Sequence, residues 1–185
     1  MAVRKQIVCG VDPGLRRTGY GVVCIDDDDD TTTVIDAGVI RCAAEGPLAL
    51  RLCELAAGIN EILDEHPIDL FAVEQIYSHY QRPRTAILMA HARGVLLLEA
   101  ARRSIEIVHL PATTVKRHLT GNGRASKEQM QRAVMTTLSL PQVPEPPDVA
   151  DALAIALCAS CVTRRTPRDG VAEVAPHLLR NGRPG

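Results

Sequence analysis

Residues 7–21 constrain the fold of this chain more than any other stretch. An apolar run ends at Asp12, the chain turns through Pro13 and Gly14, and a second apolar run follows from Gly19. This pattern predicts a β-hairpin whose buried first strand carries the Asp12 carboxylate at its end. Because a buried carboxylate is costly without a cationic partner, we expect the rest of the chain to supply an arginine, a lysine or a metal ion.

The remaining segments predict an α/β protein with a mixed five-stranded sheet. Three strands, over residues 6–12, 18–26 and 33–41, are expected to form an antiparallel meander. A helix over 47–65 followed by a strand over 68–74 is a crossover unit, which favours parallel pairing in the same sheet. Further along the chain, the pattern predicts a helix over 83–103, a strand over 105–110 and a helix over 111–119. Ser126 and Gln129 form a capping box that predicts the start of another helix, and a last helix is predicted over 147–161.

The composition is that of one globular domain. The chain has 185 residues, 46% of them hydrophobic, with no apolar run of about 18 residues and no signal-peptide pattern, which excludes the membrane and secreted classes. Its six cysteines lie mostly in apolar segments and are expected to be free thiols in a reducing, cytoplasmic compartment. Cys158 and Cys161 form a C-x-x-C pair, but a zinc site is disfavoured without a second pair. We expect a domain over residues 1–165 and a flexible tail over residues 166–185.

The net charge of −1 hides an uneven distribution along the chain. Residues 1–80 hold 6 Lys and Arg against 14 Asp and Glu, whereas residues 81–133 hold 10 against 3. The basic half suits a polyanion such as nucleic acid, although a solvated basic helix would give the same count. The five aspartates at 26–30 are expected to form a solvated hairpin tip, because adjacent carboxylates repel one another.

The predicted helix over 83–103 is apolar on two sides, with Gly94 and several alanines between its larger residues. Such a helix needs two surfaces to pack against. One is the sheet. The other is either a second subunit or the interior of the same chain, and the sequence leaves both open.

Four acids stand at the ends of predicted elements. Asp12 and Glu74 each end an apolar strand, whereas Asp148 and Asp151 lie three residues apart on one face of a helix start. Helix capping or an ion pair would explain any single one of them. Together, they would be balanced by two divalent cations, and all-oxygen ligation suits Mg²⁺ or Mn²⁺. Because two such ions promote phosphodiester hydrolysis, the acids and the basic half predict a nuclease.

Three motifs together resemble the RuvC family of bacterial Holliday-junction resolvases. They are Gly10-Val11-Asp12-Pro13-Gly14 with Thr18-Gly19-Tyr20-Gly21, Ala72-Val73-Glu74-Gln75-Ile76-Tyr77, and Asp148-Val149-Ala150-Asp151-Ala152-Leu153-Ala154-Ile155-Ala156. The resemblance implies a ribonuclease-H-like fold, a homodimer with two active sites, and paired nicks across a four-way DNA junction in recombination and repair. It also implies two Mg²⁺ ions per site, which Mn²⁺ can replace, and action with the RuvA–RuvB branch-migration complex.

The resemblance also implies roles for individual residues. By position, the metal-binding acids fall on Asp12, Glu74, Asp148 and Asp151, the catalytically important lysines on Lys116 and Lys127, and the aromatic that stacks on a junction base on Tyr77. We expect Lys127 to orient or polarise the scissile phosphate. The DNA backbone is expected to be held by further basic residues, namely Lys116, Arg82, Arg84, Arg117 and Arg124. For each of these, a plain surface charge stays open as the alternative.

The sequence leaves three other functions open. The turn after Asp12 also resembles the first phosphate loop of actin-like ATPases and sugar kinases, but those proteins need two such domains. The second is a protein that binds DNA junctions without cutting them, and only the presence of all four acids argues against it. A monomeric relative that processes ribosomal RNA precursors is the third, and the two-sided helix favours a dimer instead.

Overall fold

The computed structural model describes residues 5–76 and 83–165, and for Pro83, Arg164 and Arg165 only the backbone. The predicted Tyr77 and Arg82 and the tail from residue 166 lie outside the described residues. The elements in chain order are β1 (Lys5–Asp12), β2 (Arg17–Asp26), β3 (Thr31–Arg41), α1 (Leu48–Glu65), β4 (Leu70–Glu74), α2 (Pro83–Arg102), β5 (Glu106–Leu110), α3 (Ala112–Thr120), α4 (Lys127–Thr137) and α5 (Pro147–Arg165).

The five strands form one mixed sheet in the order β3-β2-β1-β4-β5. The strands β1, β2 and β3 are the predicted antiparallel meander, and β4 pairs in parallel with both β1 and β5. The crossover through α1 therefore produces the parallel pairing that the sequence predicted. Because β1 and β4 run in the same direction, their carboxyl ends meet at one edge of the sheet.

Helices cover both faces of the sheet. One buried cluster joins the sheet to α3, α4 and α5, and the other joins it to α1 and α2. The α5 helix crosses β1 and β2 at glycines: a Cβ at Gly10 would overlap the Ala152 carbonyl, and one at Gly21 would press on Leu153. The missing side chains therefore let the start of α5 lie directly on the sheet.

Several local predictions are confirmed, but some boundaries are wrong: β3 begins at Thr31 instead of 33, and β4 at Leu70 instead of 68. Residues 27–30 form the exposed turn between β2 and β3, as expected for a solvated tip, whereas Asp26 ends β2 and its Oδ2 lies 3.5 Å from Lys5 Nζ. Ser126 and Gln129 make the predicted capping box. The last helix was predicted to end at residue 161 but continues to Arg165, because no glycine or proline lies in residues 162–165 and the first residue restricted by a following proline is residue 166.

The cysteines are free thiols, and Cys9, Cys42 and Cys158 are buried. Cys53 departs from the expected burial because it lies on the exposed side of α1. No helix in the described parts of the chain is both long and apolar enough to cross a membrane.

The α2 helix is apolar on two sides, but the described chain covers only one of them. Ala92, Leu96 and Ala100 are buried against the sheet and α1. Ile87 and Leu98 remain 57% and 50% exposed. Burial of this second side within the described chain, one of the two alternatives left open by the sequence, is therefore wrong.

Candidate active site

Asp12 and Glu74 occupy matching positions at the ends of neighbouring parallel strands. The register pairs Val11 with Val73, and the two acids are the next residue on each strand. The turn after Asp12 is closed by Thr18, whose buried hydroxyl donates to the Gly14 carbonyl at 2.6 Å. The glycine-rich turn therefore fixes the end of β1 and brings the two carboxylates to one edge of the sheet.

Asp148 and Asp151 reach the same edge from the first turns of α5. Gly19, the cross-strand partner of Asp12, lies against the Asp148 backbone so closely that a Cβ there would overlap the Asp148 carbonyl oxygen. Arg17, on the same strand as Gly19, places its Nε 3.5 Å from Asp148 Oδ2. The packing of α5 on β2 thus brings the second pair of acids to the first.

The pKa values show that the acids act on one another. The pKa of Asp12 is raised from 3.8 to about 8, first by burial and then by the negative charges of Glu74, Asp151 and Asp148. Burial also raises the pKa of Glu74, and the charge of Asp151 adds to this effect. The pKa of Asp151 is raised by burial and by Asp148. The site therefore holds more negative charge than its protein surroundings neutralise.

Besides Arg17, which pairs with Asp148, Lys116 and Lys127 carry positive charges that oppose this repulsion. The positive charge of Lys127 lowers the pKa of both Asp12 and Asp151. The charge of Lys116 lowers the pKa of Glu74 and Asp151. Both predicted lysines thus face the acid cluster, which we define as Asp12, Glu74, Asp148 and Asp151.

Local structure explains the position of each lysine. Lys127 is the first residue of α4, directly after the Ser126 cap, whose hydroxyl accepts from the Gln129 N–H while Gln129 Oε1 accepts from the Ser126 N–H at 2.9 Å. Lys116 follows Val115, the buried residue by which α3 packs into the core with α4 and α5. Both lysines are therefore held by short helices that pack beside α5.

The predicted arginines are not brought to the acid cluster in the same way. Arg84 is exposed in the first turn of α2, and Arg117 and Arg124 are exposed in α3 and the loop after it. No ion pair joins any of the three to an acid within the described residues. Their side chains are exposed on the surface.

Comparison with known proteins gives the family. The sequence model described as "Crossover junction endodeoxyribonuclease RuvC" matches residues 8–159, which include the whole acid cluster and both lysines. The chain belongs to the RuvC family. Because the chain belongs to this family, we reject the interpretation of the turn after Asp12 as the phosphate loop of an actin-like ATPase.

Relatives and solved structures agree with the RuvC assignment. A Rhodopirellula baltica protein named crossover junction endodeoxyribonuclease RuvC is 50% identical over 151 residues, 82% of this chain and 84% of that protein. A structure of Thermus thermophilus RuvC superposes with a TM-score of 0.78 at 29% identity, covering 86% of this chain and 96% of that one. T. thermophilus RuvC in complex with a Holliday junction substrate gives a TM-score of 0.76 at 26% identity and the same coverage. The predicted ribonuclease-H-like sheet is confirmed.

The acid cluster fits hard divalent cations by its chemistry. It offers only carboxylate oxygens, and Asp148 Oδ2 is buried and accepts no hydrogen bond from the described residues. Within those residues, however, no group of three His, Cys, Asp or Glu side chains is arranged to hold an ion. The residue types therefore fit the metal expected of a RuvC family site, and their side chains are not preassembled around it.

One residue beside the acid cluster was not singled out from the sequence. Arg93 on α2 donates from Nε to the Glu74 carbonyl at 3.1 Å and from Nη2 to His109 Nδ1 at 2.7 Å. In the sequence it is only one of ten basic residues in the basic half. The available signal was its place in the helical pattern: Arg93 lies next to Ala92 and three residues before Leu96, where an amphipathic helix usually holds an apolar residue.

Proposed function

We propose that this chain is a structure-selective endonuclease that resolves four-way DNA junctions by paired symmetric nicks, in homologous recombination and DNA repair. One observation carries the proposal: four carboxylates at the positions of the three motifs meet at one sheet edge of a RuvC family chain. Nicking both strands of a junction requires phosphodiester hydrolysis, which such a cluster suits once cations compensate its charge.

Asp12, Glu74, Asp148 and Asp151 are proposed to hold two Mg²⁺ ions per site, with Mn²⁺ as a substitute. When bound, the ions supply Lewis-acid stabilisation of charge on the phosphate and on the leaving oxygen. The chain's own residues have two tasks. The four acids bind and orient the ions, and Lys127 positions the scissile phosphate. The raised pKa values of three of the acids support this assignment, because a site built for cations carries excess negative charge without them.

DNA binding is proposed to involve three groups of residues. Tyr77 stacks on a junction base, which would contribute about 1–3 kcal/mol per base. Lys116 binds the backbone near the acid cluster, and the surrounding phosphates are met by Arg82, Arg84, Arg117 and Arg124. The exposure of the three described arginines supports this role.

The chain is further proposed to act as a homodimer in the cytoplasm, together with a RuvA–RuvB branch-migration complex. The exposed apolar side of α2, formed by Ile87, Leu88 and Leu98, supports the dimer. Residues 1–165 are proposed to form the nuclease domain, and residues 166–185 a C-terminal tail outside it. The family match to residues 8–159 supports this division.

The test uses a synthetic four-way junction incubated with the full-length protein and Mg²⁺. We expect symmetric nicks that DNA ligase can reseal, and no nicks in a linear duplex of the same sequence. Asp12→Asn should abolish cleavage and keep junction binding in EDTA or Ca²⁺. The matched control is Asp29→Asn, which makes the same change at the exposed hairpin tip and should cut normally.

Other outcomes of this test would contradict the proposal. Binding of the junction without nicks in either Mg²⁺ or Mn²⁺ would favour the non-catalytic junction binder. Cleavage of ribosomal RNA precursors by a monomer, without junction cleavage, would favour the RNA-processing relative. Loss of binding together with cleavage in Asp12→Asn would make Asp12 a structural residue.

A further inference from the structure

Arg93 ties α2 to two strands at the edge of the sheet where the acid cluster lies. Its two hydrogen-bond acceptors belong to β4 and β5, and the register places them next to each other, since Val73 pairs with His109 and Glu74 with Leu110. An arginine can only donate, so His109 Nδ1 accepts and the neutral imidazole carries its proton on Nε2. A single guanidinium therefore fixes the backbone of Glu74 relative to β5.

The Glu74 carbonyl needs this donor because the ladder between β1 and β4 ends there. Gln75 N–H donates to the Leu110 carbonyl, so Glu74, the alternate residue, directs its backbone groups towards β1. Continuing the register of Val11 with Val73, the next donor on β1 would be the backbone nitrogen of residue 13. Residue 13 is proline, which has no N–H. Arg93 supplies the hydrogen bond that Pro13 cannot.

We propose that Arg93 is a positioning residue, which holds the Glu74 peptide so that the Glu74 carboxylate meets the rest of the acid cluster. The inference rests on the proposed function, because it gives Arg93 a purpose in metal binding by Glu74. Arg93 acts through geometry, since the charges that shift the pKa of Glu74 are those of Asp151 and Lys116. A lysine would keep the charge of Arg93 but could not span two acceptors with a planar fork.

The experiment compares Arg93→Lys with the wild type and with Arg102→Lys, which makes the same change in the last turn of α2, where Arg102 pairs with Glu99. Mn²⁺ alone is titrated against each protein without DNA, and binding is followed by calorimetry and by the rise in Tm. We expect Arg93→Lys to need about 10-fold more Mn²⁺ and to cut junctions about 10–100-fold more slowly, as for other changes beside metal ligands. Excess Mn²⁺ should restore much of the rate, and junction binding in EDTA should stay unchanged.

A purely structural role gives a different result. Arg93→Lys would then lower Tm without moving the Mn²⁺ midpoint, and this outcome overturns the proposal. If Arg93→Lys does not fold, His109→Leu removes the acceptor of one of the two hydrogen bonds and should raise the Mn²⁺ midpoint about threefold, a fraction of the effect of losing both. An unchanged midpoint in that variant also overturns the proposal. Failure of the wild type to cut junctions would count against the proposed function alone, because the Mn²⁺ titration needs no DNA.

Discussion

Gly19 and Asp148 pack so closely that no side chain fits between them: a Cβ on Gly19 would overlap the Asp148 carbonyl oxygen. Because Gly19 also pairs with Asp12 across the β1–β2 ladder, this contact sets how near the first turn of α5 comes to the end of β1. The position of Asp148 relative to Asp12 thus depends on Gly19, a residue without a side chain.

Replacing Gly19 with alanine should therefore damage both stability and activity. The new methyl group meets rigid backbone and has to push α5 away, and overpacking of this kind costs about 1–3 kcal/mol. For a chain of this size, that loss should lower Tm by several degrees, at about 2–4 °C per kcal/mol. Junction cleavage by the folded variant should also fall, because Asp148 and Asp151 move with the helix.

Gly38→Ala is the matched comparison for this prediction. Gly38 also lies in the meander, but a Cβ there would meet the end of the Tyr20 side chain, whose nearest atom is 2.8 Å away and can move. We expect Gly38→Ala to keep the wild-type cleavage rate. Equal loss of cleavage in both variants would show that strain anywhere in the meander is sufficient, and that the Gly19 contact has no special role.

Without divalent cations, Asp12 should make stability depend on pH. Its pKa is about 8 in the folded protein against an ordinary 3.8, so the folded state holds the proton more tightly than the unfolded state. The contribution of Asp12 to stability is thus fully present below about pH 4 and is lost as pH rises towards 8. Asp12→Asn stays neutral and should have the higher Tm at pH 8 in EDTA, by roughly 5 °C or more, with the difference vanishing near pH 4.

Thermal unfolding in EDTA across this pH range measures the effect. Asp29→Asn is the control, since Asp29 is exposed at the hairpin tip, and its curve should follow the wild type. Adding Mn²⁺ at pH 8 should raise Tm in the wild type and much less in Asp12→Asn, because cations bind the charged form. A wild type as stable as Asp12→Asn at pH 8 in EDTA would contradict the proposed excess of negative charge.

Lys127 should matter for chemistry more than for DNA affinity. Its charge lowers the pKa of Asp12 and Asp151, and we propose that it positions the scissile phosphate beside them. We expect Lys127→Ala to slow single-turnover cleavage by about 10²–10³-fold, the usual loss when one stabilising donor is removed. Arg132→Ala removes a positive charge from the exposed side of the same helix and should leave the rate nearly unchanged. A similar fall in both variants would reduce Lys127 to general attraction of DNA.

Much of this arrangement could be predicted from the sequence because it depends on local patterns. Apolar runs that end in Asp12 and Glu74 indicate buried strands, and the crossover through α1 makes those strands parallel. Two neighbouring parallel strands then place both acids at one edge. The capping box at Ser126 is also a local pattern. It predicted the start of α4 and therefore the position of Lys127 in the first turn.

The parts that could not be predicted depend on contacts between residues distant in sequence. Arg93 reaches Glu74 and His109 across 19 and 16 positions, and no periodic pattern indicates such bonds. The ion pair of Arg17 with Asp148 depends on how α5 crosses β2. The raised pKa values of Asp12, Glu74 and Asp151 also depend on the assembled site, because no single motif contains the burial and the mutual repulsion that cause them.

The exposed side of α2 provides the test of the dimer. Leu98 is half exposed and lies on the same helix as Ile87, so a second copy of α2 could bury both. Leu98→Glu would place a charge in that interface without a partner, and we expect monomers by sedimentation or light scattering where the wild type is dimeric. Junctions should then receive single, unpaired nicks. Leu50→Glu, at the 60% exposed Leu50 on α1, is the matched control and should remain dimeric. A dimer that survives both Leu98→Glu and Ile87→Glu would place the interface elsewhere, since two buried unpaired charges outweigh the apolar area they replace.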